Sequence, residues 1–295
     1  MKTIVRENMI KTLFAILAFA SLAFLLGITI VLFTESLPIL KGYNLFALLG
    51  GKYWYPTYEP PEFGLLPLIL ASVWVTAGAA IVCIPLGVGS ALYLHELAGH
   101  KQRALLKPVI ELLASIPSIV YGLFGMVVLA PMFQKAFNIP VGMCALTGSV
   151  ILGIMAVPTV CSIAEDALAS VPHSFREAAF AVGANRWQTL ITIILPAAGS
   201  GISTAIILGM SRAIGETMTV LMVTGGAAVI PRSFLQPVRP ITATIAAEMG
   251  EVVVGSHHYH ALFCLGLILF TITFMFNIVA EMISRRFRVQ LGLGR

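Results

Sequence analysis

The sequence predicts an all-α protein, a bundle of six helices that each cross a membrane. Three observations carry this. Charged residues make up only 11 % of the 295-residue chain and hydrophobic residues 58 %, whereas soluble domains carry about 25 % charge and about 45–50 % apolar residues. The mean hydropathy is +0.96. The apolar residues also gather into runs near the length of about 20 residues that a spanning helix needs, with Lys and Arg in the gaps.

Six runs qualify: roughly 12–33, 66–94, 109–133, 143–165, 197–225 and 259–284. The first follows Lys2, Arg6 and Lys11. It exceeds the h-region of about 7–15 residues in a secretory signal, and no small-residue cleavage site follows promptly, so a retained helix is expected. The runs divide the chain into an N-terminal part (1–64), a five-helix body (65–284) and a tail (285–295).

The basic residues set the orientation. One side collects Lys2, Arg6, Lys11, Lys101, Arg103, Lys107, Arg176, Arg186, Arg285, Arg286, Arg288 and Arg295. The other holds Lys41, Lys52, Lys135, Arg232 and Arg239. The richer side faces the cytoplasm by the positive-inside rule, which predicts a multi-pass protein of the cytoplasmic (inner) membrane with both termini cytoplasmic. The net charge of +5 comes from these short clusters beside apolar runs. No basic stripe with interleaved aromatics appears, and nucleic acid is not an expected partner.

The outer segment Thr34–Gly64 holds Tyr53, Trp54, Tyr55 and Tyr58 among Pro56, Pro60 and Pro61. It reads either as an interfacial anchor with rings at headgroup level or as a contact for an external partner. Cys83, Cys144, Cys161 and Cys264 lie in or at the ends of apolar runs without a C-x-x-C pair, as small core or lipid-facing residues. His257, His258 and His260 cluster near Glu248 and Glu251 but lack ligand spacing, and no metal or cofactor is predicted. Glu248 and Glu251 are expected to line an outer mouth or be solvated. Glu111 starts the third run, where the helix dipole accounts for an acid and no functional role is expected, and Glu165 and Asp166 end the fourth run at the cytoplasmic face.

No phosphate-binding glycine loop, dinucleotide fingerprint, H-E-x-x-H motif or catalytic triad is present. The chain is not predicted to be an enzyme, and any ATP-driven process must draw on another subunit.

The cytoplasmic loop 166–196 fits two short helices. The first starts near Pro172–Ser174, with Ser174 as N-cap, carries Glu177, Ala178, Ala179 and Phe180, and ends at Gly183. The second starts near Asn185 and runs to Pro196. Ala178, Ala179, Ala181, Gly183 and Ala184 make a low surface, with Phe180 and Trp187 as bulky anchors. Composition leaves an ordinary connector and a docking device equally open. The spacing Glu177-Ala178-Ala179, then Gly183, then Ile193 and Leu195-Pro196 resembles the EAA signature of ABC importer permeases. That resemblance implies a MetI-like permease fold, and a docking role toward an ATP-binding subunit dimer for Glu177, Ala178, Ala179, Phe180, Gly183, Trp187 and Pro196.

Arg212 and Glu216 lie in the fifth run, where each charge costs about 2.5–3.5 kcal/mol at a helix centre. Four residues apart on one helix, they share a face and partly neutralise each other. They form either a packing ion pair or an anion path, in which the arginine fork suits a tetrahedral oxyanion and Thr217 and Thr219 add hydroxyls. Pro117, Gly122 and Gly125 are expected to kink the third helix.

The segment Ser211-Arg212-Ala213-Ile214-Gly215-Glu216-Thr217 resembles phosphate importer permeases of the PstC/PstA type. Two other stretches, Phe63-Gly64 ahead of the run 66–94 and Glu111-Leu-Leu-Ala-Ser-Ile-Pro-Ser in the run 109–133, resemble PstC more than PstA. Ala71-Ser72 departs from the usual Gly-Thr. The resemblance implies inorganic phosphate as substrate, a path lined by Arg212, Glu216 and Thr217, a second homologous permease subunit and an external (periplasmic or extracellular) phosphate-binding protein. The alternatives are a sulfate or molybdate permease, an ion-coupled secondary transporter, which would carry midplane carboxylates and inverted repeats, and a membrane scaffold.

Overall fold

The structure, a computed structural model, describes residues 2–290. The side chains of Lys2, Arg6, Arg285, Arg286 and Arg288, and Arg295 as a whole, lie outside what it describes.

A helix α1 (Lys2–Gly42) opens the chain. It runs well past residue 33, its expected end, and its last turns bury Ser36 and Ile39. A short α2 (Leu45–Gly50) and a hairpin, β1 (Trp54–Tyr55) with β2 (Glu62–Phe63), lead into α3 (Leu66–Leu92). A π-helical turn, Tyr93–Leu97, prolongs α3 into a 32-residue rod.

The third expected span, 109–133, is not one helix. The chain forms α4 (His100–Ser115), breaks at Ile116 and Pro117, both extended, and resumes as α5 (Ser118–Phe124), a π turn (Gly125–Leu129) and α6 (Ala130–Phe137). The residue before a proline is pushed out of the helical region, which places the break. The apolar helix long enough to cross a membrane is Ser118–Phe137.

Then come α7 (Ala145–Ala169), α8 (His173–Ala181), α9 (Arg186–Thr189), a π turn (Leu190–Ile194), α10 (Leu195–Ala197) and α11 (Gly199–Ile214). Pro131 and Pro196 each follow a π turn within two residues; a proline lacks the N–H that would close the ladder there. The arm Arg186–Ala197 meets α11 at 66°. The fifth span, expected to run to residue 225, ends at Ile214. It resumes only as α12 (Met218–Val223), followed by α13 (Ile241–Glu248) and α14 (His257–Gln290). α14 passes the expected boundary at 284. Among the described residues five helices are long and apolar enough to cross a membrane, and six if the bent pair counts as one.

At the centre α3 and α7 run side by side in the same direction, and α11 runs antiparallel to α7. Small residues permit this contact, as in membrane bundles generally. A methyl on Gly87 of α3 would sit 2.8 Å from Val160, and one on Gly209 of α11 2.4 Å from the same valine. Cys83, Cys144, Cys161 and Cys264 are free and buried.

Candidate functional site

Three polar places interrupt this apolar bundle: one at the hairpin end, one midway, and one at the end carrying α8.

At the hairpin end Glu248 is a hub. It accepts from Arg239 Nη1 at 2.6 Å, from Trp54 Nε1 at 3.1 Å and pairs with His258 Nε2 at 2.8 Å. Arg239 also donates to the Gly226 carbonyl at 2.7 Å. Trp54 is only 2 % exposed, so it is a core residue and not a headgroup ring, and Glu248 is paired and not simply solvated. His260 turns instead to the Glu35 carbonyl at 2.8 Å, and His257 meets the Tyr43 ring. The three histidines therefore face three partners. Outside the hub, Tyr53, Tyr55 and Tyr58 stack in an exposed ladder, with centroids 6.1 and 4.8 Å apart. A cleft of ≈ 480 Å³ opens between the hairpin and the hub.

Midway along the bundle two broken helices meet. Thr219 Oγ1 on α12 donates to the carbonyl of Ser118, the first residue of α5, at 2.9 Å. The Thr242 hydroxyl donates to the Glu216 carbonyl at 2.7 Å. Irregular backbone at membrane depth survives where protein or a wet cavity satisfies it, and these hydroxyls do so here. Beside this junction Arg212, in the last turn of α11, donates from Nη1 to Thr159 Oγ1 on α7 at 3.1 Å. Thr159 lies just past the middle of α7.

The expected Arg212–Glu216 pair on one helix face is not there. The helix ends at Ile214, Gly215 caps it, and Glu216 falls in the break. Its carboxylate accepts from the Thr219 backbone N–H at 3.3 Å, at the start of α12, where the helix dipole favours a negative charge. Among the described residues the ion pairs do not include Arg212, and the residue is exposed. The Thr217 hydroxyl makes a long contact, at 3.4 Å, to the Gly215 carbonyl. Thr159 was invisible in the sequence: a threonine in an apolar run carries no spacing signal.

The α8 end is tied to the bundle by two ionic links. Glu165, 1 % exposed, receives Arg103 at 2.5 Å and Lys107 at 2.9 Å, both from α4. It is thus more than a helix-end charge. Its hydrogen bond holds the Lys107 ammonium above the ordinary lysine range, against the opposing effect of burial. Arg176 on α8 reaches Glu96 at 2.5 Å.

Beyond these links the loop is built as the spacing predicted, with two exceptions. Gly183 stands at φ +86°. The Gly183 N–H reaches the Phe180 carbonyl at 3.0 Å and the Ala184 N–H the Ala179 carbonyl at 3.1 Å, the Schellman pair that ends a helix. Asn185 caps α9 reciprocally with Gln188, at 2.8 and 2.9 Å. The exceptions are the N-cap of α8, which is Pro172 and not Ser174, and Ala179, which is buried and cannot belong to an outer surface. Glu177, Ala178, Phe180, Gly183, Trp187 and Pro196 are exposed. Phe175, Phe180, Val182, Trp187 and Ile191 form an apolar surface there, with Val182 85 % exposed.

Residues 83–289 match the family described as "Binding-protein-dependent transport system inner membrane component". The chain is 37 % identical to the probable ABC transporter permease protein YqgH of Bacillus subtilis, over 97 % of this chain and 92 % of that one. It is 35 % identical to the phosphate transport system permease protein PstC of Mesorhizobium japonicum, over 90 % and 86 % of the two chains. It is 31 % identical to PstC of Haemophilus influenzae, over 95 % and 92 %. Among solved structures, the inward-facing MetNI methionine ABC transporter superposes with a TM-score of 0.58 at 17 % identity, covering 74 % of this chain and 93 % of that one. The chain belongs to the binding-protein-dependent permease family: it is a multi-pass ABC importer permease with a MetI-like fold.

Proposed function

We propose that this permease carries inorganic phosphate, and that Arg212 is the residue the anion meets midway. One observation carries the proposal. Arg212 presents a guanidinium at the junction of two helix breaks, bonded to a neutral threonine and to no carboxylate among the described residues. A permanent charge in hydrocarbon is expensive, and it is kept where an anion passes. Arginine offers two parallel donors to an oxyanion. Thr159 orients the guanidinium without neutralising it, so the site holds more net positive field than an Arg–Glu pair would supply. Glu216 acts indirectly, by fixing the start of α12, and Thr217 stands at the break. The PstC relatives, named for phosphate transport, favour phosphate over sulfate or molybdate.

In this reading residues 1–64 form an N-terminal helix with its outer hairpin, 65–284 the translocating body, and the tail extends from 285. Both termini face the cytoplasm. ATP is hydrolysed by a partner, an ATP-binding subunit dimer that docks on the loop 166–196 through Glu177, Ala178, Phe180, Gly183, Trp187 and Pro196, with Ala179 supporting from below. A second, homologous permease subunit completes the path, and an external phosphate-binding protein delivers the anion to the hairpin end. The rest of the surroundings are lipid: α1 exposes large apolar side chains along most of its length.

Reconstitution with these partners and ATP tests the proposal. Labelled phosphate is expected to accumulate ahead of sulfate and molybdate, and Arg212→Ala to lower uptake about a hundredfold, on the scale of losing one preorganised donor to an oxyanion. The ATP-binding subunits should stay attached. Normal phosphate uptake by Arg212→Ala, or a preference for sulfate, sinks the reading.

A further inference from the structure

The ion pair Arg176–Glu96 joins two elements that the chain itself does not connect. Arg176 lies on α8, at the surface of the loop. Glu96 lies in the π turn that ends the α3 rod Leu66–Leu97. The contact is 2.5 Å, with the Glu96 side chain 13 % exposed and that of Arg176 31 %. Two consecutive residues of α8 thus divide their work: Arg176 turns inward to α3, and Glu177 is exposed.

The covalent route differs. α8 follows α7 through residues 170–172 alone. With that turn alone, α8 and the loop it leads into could pivot without dragging α3. A second attachment removes that freedom. Ala179 is buried and α8 packs on the π turn Leu190–Ile194 farther along the same loop, while Arg176 adds a directional bond to a helix outside the loop. α3 and α7 pack along each other through close glycine contacts, at Gly87 and at Gly153. α3 begins at the hairpin end, where the Ser72 hydroxyl oxygen accepts the Ile241 N–H at 2.9 Å. A displacement of α8 passed to Glu96 therefore enters a rod that runs the length of the bundle. Charge-assisted hydrogen bonds of this kind are the stronger ones, and partial burial shields the pair from salt.

We propose that Arg176–Glu96 is the link that makes α3 move with α8, so that the pair transmits the partner's motion and does not itself hold the partner. Both are positioning residues. The proposal rests on the docking role of the loop given above. The rival possibility is that the pair merely builds the docking surface, and the two differ in what a charge reversal does.

The test uses the full transporter in proteoliposomes, with both permease chains, the ATP-binding subunits and the external binding protein. Arg176→Glu, Glu96→Arg and the doubly exchanged protein are compared with the unaltered one. Two quantities are read: co-purification of the ATP-binding subunits, and stimulation of ATP hydrolysis by the phosphate-loaded binding protein. Each single reversal is expected to keep the subunits attached and to lose about tenfold in stimulation, within the usual range of coupling between sites. The double exchange should recover most of it. Where a reversed variant fails to accumulate in the membrane, Arg176→Gln carries the same expectation. Release of the ATP-binding subunits by the single variants, unaltered stimulation, or no recovery in the exchange would each overturn the link. The docking reading fails separately, if Trp187→Ala leaves the subunits attached.

Discussion

The two ends of the bundle are built from similar residues and finished differently. At the hairpin end a tryptophan, an arginine, a histidine and a glutamate converge, and each charge meets a partner: Glu248 binds Arg239, Trp54 and His258. The large apolar ring Trp54 is covered. At the α8 end the links stop at the bundle's own edge. Beyond Arg176–Glu96 and the Glu165 clamp, the loop shows Phe180, Val182, Trp187 and Ile191 to solvent. Arg186 stands beside Glu96 and Arg176 around a cavity of ≈ 320 Å³, without a carboxylate partner among the described residues. Soluble surfaces rarely leave such patches idle. The charges of the Glu248 hub are paired within the chain; under the proposed function the α8 end is half of an interface.

That contrast can be broken most sharply at Trp187. Truncating an aromatic anchor at an interface typically costs about 2–4 kcal/mol of binding. Trp187→Ala is therefore expected to weaken attachment of the ATP-binding subunits by roughly thirtyfold or more, while the permease melts at an unchanged temperature in detergent. A drop in melting temperature with full attachment would show that the ring serves the fold and that the ends are alike.

Glu248→Ala makes the mirror case. It leaves Arg239 and the Trp54 N–H without their acceptor in a partly buried setting, at a cost of roughly 2–3 kcal/mol. Thermal stability should fall, and attachment of the ATP-binding subunits should not change. Loss of attachment with stability intact would contradict the division.

Gly183→Leu is expected to cost less, about 1–2 kcal/mol, because a side chain at positive φ is strained. No atom lies within 4 Å of the position where its Cβ would stand, so the chain alone tolerates the volume. A partner seated on the loop would not, and attachment should fall further than stability. Equal falls in both would mean that strain is the whole effect.

How much of this was legible in the sequence follows from the range of each interaction. The apolar runs, the turn at Gly183 and the start at Asn185 are local, set within a few residues by helix periodicity and capping. The turn and the start appear in the structure where expected, whereas the runs 109–133 and 197–225 are broken at Pro117 and Gly215. The longest-range polar contacts are not local. Trp54 and Glu248 lie 194 residues apart, Arg176 and Glu96 80, and Arg103 and Glu165 62. No pattern along the chain announces them. The Arg212–Glu216 expectation failed for a related reason. Spacing of four implies one face only if the helix continues, and Gly215 ends it. A glycine inside an apolar run reads as tolerable when the break it permits is stabilised by distant hydroxyls, here Thr219 on Ser118 and Thr242 on Glu216. Pro117 was visible as a kink, but its completion into a full break shows only in three dimensions.

The smallest expected effect gives the most direct comparison, because each end has an asparagine cap. Asn44 Oδ1 accepts from the Phe46 N–H at 2.9 Å at the start of α2. Asn185 Oδ1 accepts from the Gln188 N–H at 2.8 Å at the start of α9. Both residues are exposed, and replacing either with Ala removes one cap, at about 1 kcal/mol. If the ends differed only in composition, the two variants would behave alike. Asn44→Ala should lower the melting temperature slightly and leave uptake unchanged, since α2 is anchored by Leu48 in the core. Asn185→Ala frays a four-residue helix whose second residue is Trp187, so the anchor is presented less often in its docked geometry. Uptake is expected to fall about fivefold, the cap's free energy expressed as a population, and Asn185→Asp, which keeps the acceptor, should restore it. Equal uptake from Asn44→Ala and Asn185→Ala would place the functional surface elsewhere than on α9.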